Sequence, residues 1–275
     1  MNFIEIIIKL INELEKNKNK EKIHNIKYSI EEYVTEILYV CRNLSYWNSY
    51  RGIFNYKTLY NKQLYFSKNE IFKKAYKIIL DDYLKKNKFE KIKYLSIDTS
   101  FIGNKKGCKI NNNKIPRNKF FKGKKCIKIS SITDKNGIPL SLLTFGGNIN
   151  DAETFKKTYN DMLIVKGSHI KGNKYKSYFM ADSGYCSKKI REKLFYDGYI
   201  PLIKKNFRNT KNIDLFKDDM INKYNEKYKK RIIVENFFAK VKKFTKINLL
   251  FENYVDNYDS LLYLASISIL CNFYY

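Results

Sequence analysis

Histidine is nearly absent from this sequence. His24 and His169 are the only two among 275 residues. That leaves too few imidazoles for a histidine-based nucleophilic triad or a histidine-rich metal site. The five cysteines, Cys41, Cys108, Cys126, Cys186 and Cys271, are odd in number, scattered, and form no C-x-x-C. They read as reduced thiols of an intracellular protein, with no structural zinc site. A long apolar run is also missing. The apolar C-terminus "LLYLASISILCNFYY" is too short to span a bilayer and reads as a buried helix. The opening "MNFIEIIIKLINELEK" carries Glu5 within its apolar part, so it reads as an amphipathic helix rather than a signal peptide. The expected location is intracellular, cytoplasm or nucleoid in a bacterial host, with no membrane partner. Acids are scarce as well: 27 Asp and Glu stand against 54 Lys and Arg, a formal charge of +27. Lys, Asn, Ile and Tyr are all over-used, so base composition explains part of the lysine. The remainder points to a polyanionic partner, most often nucleic acid.

Against this scarcity one acid stands out. In "YKKRIIVENFFAKVKKF", Tyr228 to Phe244, Glu235 sits inside a basic and aromatic run. On a helical wheel Tyr228, Arg231, Glu235 and Lys242 fall within an arc of roughly 60°. Ile233, Val234, Phe237, Val241 and Phe244 lie opposite. The stretch reads as one helix with a packed back and a narrow polar front. Taken alone it is equally well a surface helix with an Arg231–Glu235 salt bridge.

The N-terminal part reads as helical. Ser29 and Glu32 form a capping-box pattern before a helix to about Cys41, and Ser67 with Glu70 repeats the pattern before a helix to about Leu84. "NKNKEKIHNIK" is a solvated linker, and "YKTLYNKQLYF" a short helix. This module, residues 1–90, is either a helix-turn-helix presenting Lys57, Asn61, Lys62 and Gln63 to DNA or a helical cap on the main domain.

Near Ile92 the periodicity changes, and residues 91–275 read as an α/β domain. "KYLSID" is a strand ending on Asp98. Asn104 to Lys125 holds nine Lys and Arg and no acid. That basic segment, which ends in Lys124 and Lys125, either follows a phosphate backbone or is a solvated loop. "CIKISSITD" and "IPLSLLTF" flank Asn-Gly and make a hairpin. Asp151 is placed to cap the helix "DAETFKKTYNDMLI". "SYFMADSGYCS" is a strand ending on Asp182, turning at Gly184 into a helix. "YIPLIK" is a further strand. The order is that of a ribonuclease-H-like mixed sheet flanked by helices, preceded here by the small helical module.

Asp98 and Asp182 thus end strands, and Glu235 lies on a helix. An Asp ending a strand is often only a turn former. Three acids brought together would repel unless cations lay between them, and hard oxygen ligands suit Mg²⁺ or Mn²⁺. Two such ions serve phosphoryl transfer.

These residues resemble the DDE transposases of bacterial insertion sequences. Tyr228, Arg231, Glu235 and Lys242 match the signature Tyr-x2-Arg-x3-Glu-x6-Lys without a gap. "SIDTSFI" resembles the first-Asp block and "MADSGYCS" the second, with Ser183 where another residue is common. "GKKCIKISSITDKNGIPLSLLTFGGNINDAETF" resembles the stretch between them. The resemblance runs from about Tyr94 to the C-terminus and is weaker over the helical N-terminus. It implies that Asp98, Asp182 and Glu235 are catalytic and hold two Mg²⁺ or Mn²⁺ ions. Arg231 and Lys242 would face the DNA backbone and Tyr228 a flanking phosphate. The implied partners are double-stranded DNA, as terminal inverted repeats and target, and further copies of the chain on that DNA. The implied reaction cuts element ends and joins their 3′-hydroxyls to target DNA. Two other readings use the same residues: a transposase-derived DNA-binding protein without chemistry, and a ribonuclease-H-like nuclease or resolvase.

Overall fold

The computed structural model describes residues 3–16, 28–87, 94–110, 113–162, 177–206 and 219–274. The expected linker at 17–27 and the expected domain boundary at 90–91 lie outside the described residues. The chain divides into two compact units. One comprises Met1–Tyr83, Ile102–Ile127 and Lys240–Tyr275; the other comprises Leu84–Phe101 and Lys128–Ala239.

The first unit is mainly helical: α1 (Phe3–Lys16), α2 (Ile30–Asn43), α3 (Tyr56–Lys68), most of α4 (Ile71–Lys86), α10 (Thr245–Asn248) and α11 (Val255–Tyr274). Three two-residue strands, β2 (Lys109–Ile110), β3 (Asn113–Lys114) and β4 (Arg117–Asn118), lie in the expected basic segment. The apolar C-terminal run is buried within α11, where Leu261, Leu264, Ile267 and Leu270 are inaccessible to solvent. No helix among the described residues is long and apolar enough to cross a membrane. The Ser29–Glu32 capping box is present, with Glu32 N–H donating to Ser29 Oγ at 3.1 Å and Ser29 N–H donating to Glu32. The second expected box is not. Ser67 lies inside α3 and its hydroxyl donates to the Asp256 carbonyl, while Glu70 takes a left-handed φ of 53° between the helices. A tertiary acceptor took the hydroxyl that a local cap would have used.

The second unit carries most of the sheet. Its strands are β1 (Tyr94–Gly103), β5 (Lys124–Thr133), β6 (Pro139–Gly146), β7 (Ser177–Ala181) and β8 (Tyr199–Ile203), and β1 and β5 each contribute residues to both units. The six-stranded sheet runs β4-β5-β1-β7-β8, with β6 also paired to β5. β7 pairs parallel with β1, through Tyr94↔Tyr178 to Ser96↔Met180, and parallel with β8; β4 and β5 are antiparallel. This is the mixed, helix-flanked sheet of a ribonuclease-H-like domain. α5 (Asp151–Asp161) packs on β6, and α6 (Lys188–Tyr196) on β8. The β5–β6 hairpin closes at Gly137, φ +78°, with Asp134 Oδ1 accepting from the Asn136 and Ile138 amides.

Two elements differ from expectation. β1 does not stop at Asp98 but continues through Gly103. What ends near Asp98 is full burial: the strand is buried through Ile97 and half-buried from Asp98 to Phe101. The stretch from Tyr228 to Phe244 is not one helix. It comprises the end of α8 (Asn225–Tyr228), a 3₁₀ turn at Lys229–Arg231, and α9 (Ile232–Val241), followed by a turn. The break lets Tyr228 turn inward, where its hydroxyl donates to the Ala181 carbonyl, while Arg231 still reaches Glu235.

Candidate active site

The site is built inside the second unit, on two adjacent parallel strands and one helix. β1 presents Asp98, and Asp182 follows directly on β7, whose carboxylate oxygen Oδ1 accepts from the Gly184 amide at 2.8 Å. The 3₁₀ turn supplies Arg231, and the first turn of α9 supplies Glu235. Arg231 joins the acids. Its Nη1 donates to Asp98 Oδ2 at 2.9 Å and its Nη2 to Glu235 Oε1 at 2.5 Å. The expected i, i+4 pair is therefore formed, but the same guanidinium also reaches an acid 133 positions earlier in the chain. Exposure of the side chains rises from 18% at Asp98 through 22% at Arg231 to 47% at Glu235.

The electrostatics follow from this gradient. Burial pushes the Asp98 carboxyl up to about 6, and the Asp182 charge adds to that; the Thr99 amide and Arg231 act in the opposite direction. Burial works against the charge on Arg231, yet Asp98 and Glu235 raise its pKa. Tyr185, fully buried, has its phenol pushed far up by burial and then by the charges of Asp151, Asp98 and Asp182. Those three acids therefore share one neighbourhood.

Asp151 is the residue that sequence reasoning missed. The cap of α5 is Asn150, whose side chain accepts from the Glu153 amide. Asp151, the first helical residue, instead accepts from Lys128 Nζ at 2.7 Å and from Thr99 Oγ1 at 3.1 Å. A Cβ placed on Gly184 would lie 2.8 Å from Asp151 Oδ2 and 3.1 Å from Asp182 Oδ1. The two acids thus meet across the one residue without a side chain. A signal was present: Lys128 is the lone cation in the buried stretch "CIKISSIT" of β5, and a buried cation demands a partner.

The other expected residues are placed as follows. Tyr228 is buried, with its hydroxyl donating to the Ala181 carbonyl at 3.3 Å and the Lys204 ammonium 5.3 Å from its ring centre. Lys242 lies beyond the end of α9, in a segment of the first unit, and is half-buried; burial lowers its pKa. Lys124 and Lys125 are exposed at the start of β5. Lys57 and Asn61 on α3 line a pocket of about 410 Å³ in the first unit, with Lys106, Trp47 and Phe251. Lys62 lies over the rings of Tyr33, Tyr65 and Phe66. Gln63 is fully buried and donates to Asn257 and Ser260.

The mixed sheet thus presents Asp98 and Asp182 from adjacent parallel strands, with Glu235 on a helix joined to Asp98 through Arg231. The profile of the family described as "Transposase DDE domain" matches residues 90–270, and the chain belongs to that family. Comparison with curated proteins gives no match. Among solved structures, a piggyBac transposase synaptic complex with hairpin DNA aligns with 98% of this chain and 72% of its own, at 14% identity and a TM-score of 0.39. The Mos1 mariner paired end complex with Mn aligns with 89% of this chain and 72% of its own, at 11% identity and a TM-score of 0.27. The Mos1 strand transfer complex aligns with 94% and 67%, at 12% identity and a TM-score of 0.27.

Proposed function

We propose that this transposase-family chain cuts the ends of a DNA element and joins the freed 3′-hydroxyls to target DNA, with Asp98, Asp182 and Glu235 holding two divalent cations. The observation that carries this reading is the guanidinium of Arg231, bonded at once to Asp98 and Glu235. A positive group already sits where a strand acid and the helix acid meet. Among the described residues no three acid, cysteine or histidine side chains are drawn together tightly enough to hold a metal ion. The donor set nevertheless fits a hard cation: it is all carboxylate oxygen, with neither thiolate nor imidazole. When bound, Mg²⁺ or Mn²⁺ would polarise the scissile phosphate and activate the attacking hydroxyl.

The chain's own residues supply the rest. Half-buried Asp98 and turn-capping Asp182 are fixed by backbone amides of Thr99 and Gly184. Glu235, on the exposed side of α9, is held through Oε1 by Arg231 and keeps about half its surface in water. Arg231 matches phosphate as well as it matches carboxylate, because its planar fork makes two parallel hydrogen bonds. An arriving phosphodiester would therefore draw it from the acids. Lys227 and Lys230 lie over the Tyr94 ring, and Lys229 pairs with Glu226, so this run adds positive charge beside the site. Double-stranded DNA is the partner this charge serves, and element-end recognition by the residue 1–90 helices would add sequence preference.

Glu235→Gln tests the reading. Gln keeps the shape and helix propensity while removing one charge. The variant should bind a labelled element end as tightly as wild type, or tighter, and should not cut it in Mg²⁺ or Mn²⁺. Equal cutting by both proteins would remove Glu235 from the site. Binding without cutting by both would favour a DNA-binding protein without chemistry.

A further inference from the structure

Lys128 is only 5% exposed, yet it carries an ammonium on a strand surrounded by apolar side chains. Its three contacts are the Ile149 carbonyl at 2.8 Å, Asp151 Oδ1 at 2.7 Å, and the face of Phe101 at 5.0 Å. Asp151 extends from this cation toward the acid site. The oxygen that takes Lys128 also takes the Thr99 hydroxyl, and the Thr99 amide donates to Asp98 at 2.8 Å. The other oxygen lies against the Gly184 position, where the Gly184 amide holds Asp182. One carboxylate is thus tied on one side to the residue after Asp98 and set on the other against the turn that orients Asp182.

We propose that Lys128 and Asp151 form a positioning pair that fixes the spacing between Asp98 and Asp182. Lys128 neutralises and orients Asp151, which would otherwise be a fourth charge repelling the two acids. Asp151 in turn anchors Thr99 and packs on Gly184, where any side chain would collide with it. This rests on the reading of Asp98 and Asp182 as cation-holding acids. Removing groups that orient metal ligands from behind typically costs about 10–100-fold in metal affinity.

The test is Mn²⁺ titrated calorimetrically into the full chain, with thermal unfolding measured alongside. Asp151→Leu combined with Lys128→Met removes the pair without leaving a buried charge, so the fold should be retained. This double variant should bind Mn²⁺ about 10–100-fold more weakly at an unchanged melting temperature. Asp151→Asn keeps an acceptor for Thr99 but leaves Lys128 uncompensated, so it should melt earlier while its Mn²⁺ affinity falls by roughly threefold or less. A purely structural pair cannot give that crossing of stability and affinity. Thr99→Val, nearly isosteric, removes the hydroxyl that donates to Asp151 while keeping the backbone amide that donates to Asp98, so it uncouples Asp151 from the strand and should weaken Mn²⁺ binding roughly 10-fold. It carries the test if the double variant does not fold. Unchanged affinity in Thr99→Val or in the folded double variant overturns the proposal. So does an Asp151→Asn loss as large as that of Asp98→Asn, which would make Asp151 a ligand. If wild type itself binds no Mn²⁺, the functional reading fails and the positioning role falls with it.

Discussion

Each of the two units contains an ion pair near the end of the chain, and the pairs are built in opposite ways. In the first unit Lys246 and Glu252 meet at 2.9 Å with side chains 1% and 2% exposed. Both Glu252 oxygens are used: Trp47 Nε1 and Lys246 bond to one, and Asn257 to the other. In the second unit Arg231 bridges Asp98 and Glu235, and Glu235 keeps about half its surface in water. The closed pair has both carboxylate oxygens partnered and almost no surface in water. The open one retains carboxylate oxygen toward solvent and holds a cation that another cation or a phosphate can replace. Hydrogen bonding is complete at the Glu252 carboxylate, whereas Glu235 keeps capacity for a further partner.

The comparison is broken most directly by removing each acid. Glu252→Ala strands a buried ammonium, an indole N–H and an amide, and should cost about 3–5 kcal/mol in urea unfolding. Glu235→Ala removes a half-exposed partner and should change stability by about 0–1 kcal/mol. Similar losses from both variants would erase the distinction between closed and open pairs.

A somewhat smaller effect sharpens it through pH. Burial holds the Asp98 carboxyl at about 6, above the ordinary 3.8. The folded state therefore binds this proton more tightly than the unfolded state. Stability from this group is complete below pH 3.8 and is lost as pH rises toward and through 6. The difference corresponds to about 3 kcal/mol at most. Asp98→Asn imitates the protonated form, so it should unfold like wild type near pH 4 and resist urea better than wild type above pH 7. A variant less stable than wild type at pH 7 would mean that Asp98 is held by Arg231 more strongly than burial penalises it. The site would then be a closed pair like the other.

What was legible in the sequence follows from how local each signal is. The hairpin around Asn136-Gly137, the Ser29–Glu32 box and the strand leading to Asp182 rest on neighbours a few residues apart, and all three are present. Ser67 and Asp151 carried equally good local signals, as caps, but each found a distant partner. The break at Lys229–Arg231 was masked because the wheel pattern of Tyr228, Arg231 and Glu235 suits a continuous helix. In the broken form Arg231 still reaches Glu235, while Tyr228 turns inward to the Ala181 carbonyl. Lys128 was the readable clue left unused, the one cation in the buried stretch "CIKISSIT" of β5, whose other positions are apolar or small.

The smallest expected effects concern the lysines, and they extend the comparison to DNA. Lys57 is exposed on α3, whereas Lys242 is half-buried and has its pKa lowered by burial. Lys242 closes the Tyr-x2-Arg-x3-Glu-x6-Lys pattern in a protein of charge +27, so it is proposed as a backbone contact. Lys242→Ala should weaken binding to every DNA sequence alike and reduce the slope of log affinity against log salt by about 1. Lys57 shares its pocket with Asn61, Lys106 and Trp47, a mixture of charge, amide and ring suited to reading a particular end. Lys57→Ala should lower the preference for element ends over competitor DNA, as well as affinity. Fluorescence anisotropy with element-end and scrambled duplexes across a salt series separates the two. An unchanged slope would return Lys242 to a purely packing role. An unchanged end preference for Lys57→Ala would move recognition away from α3.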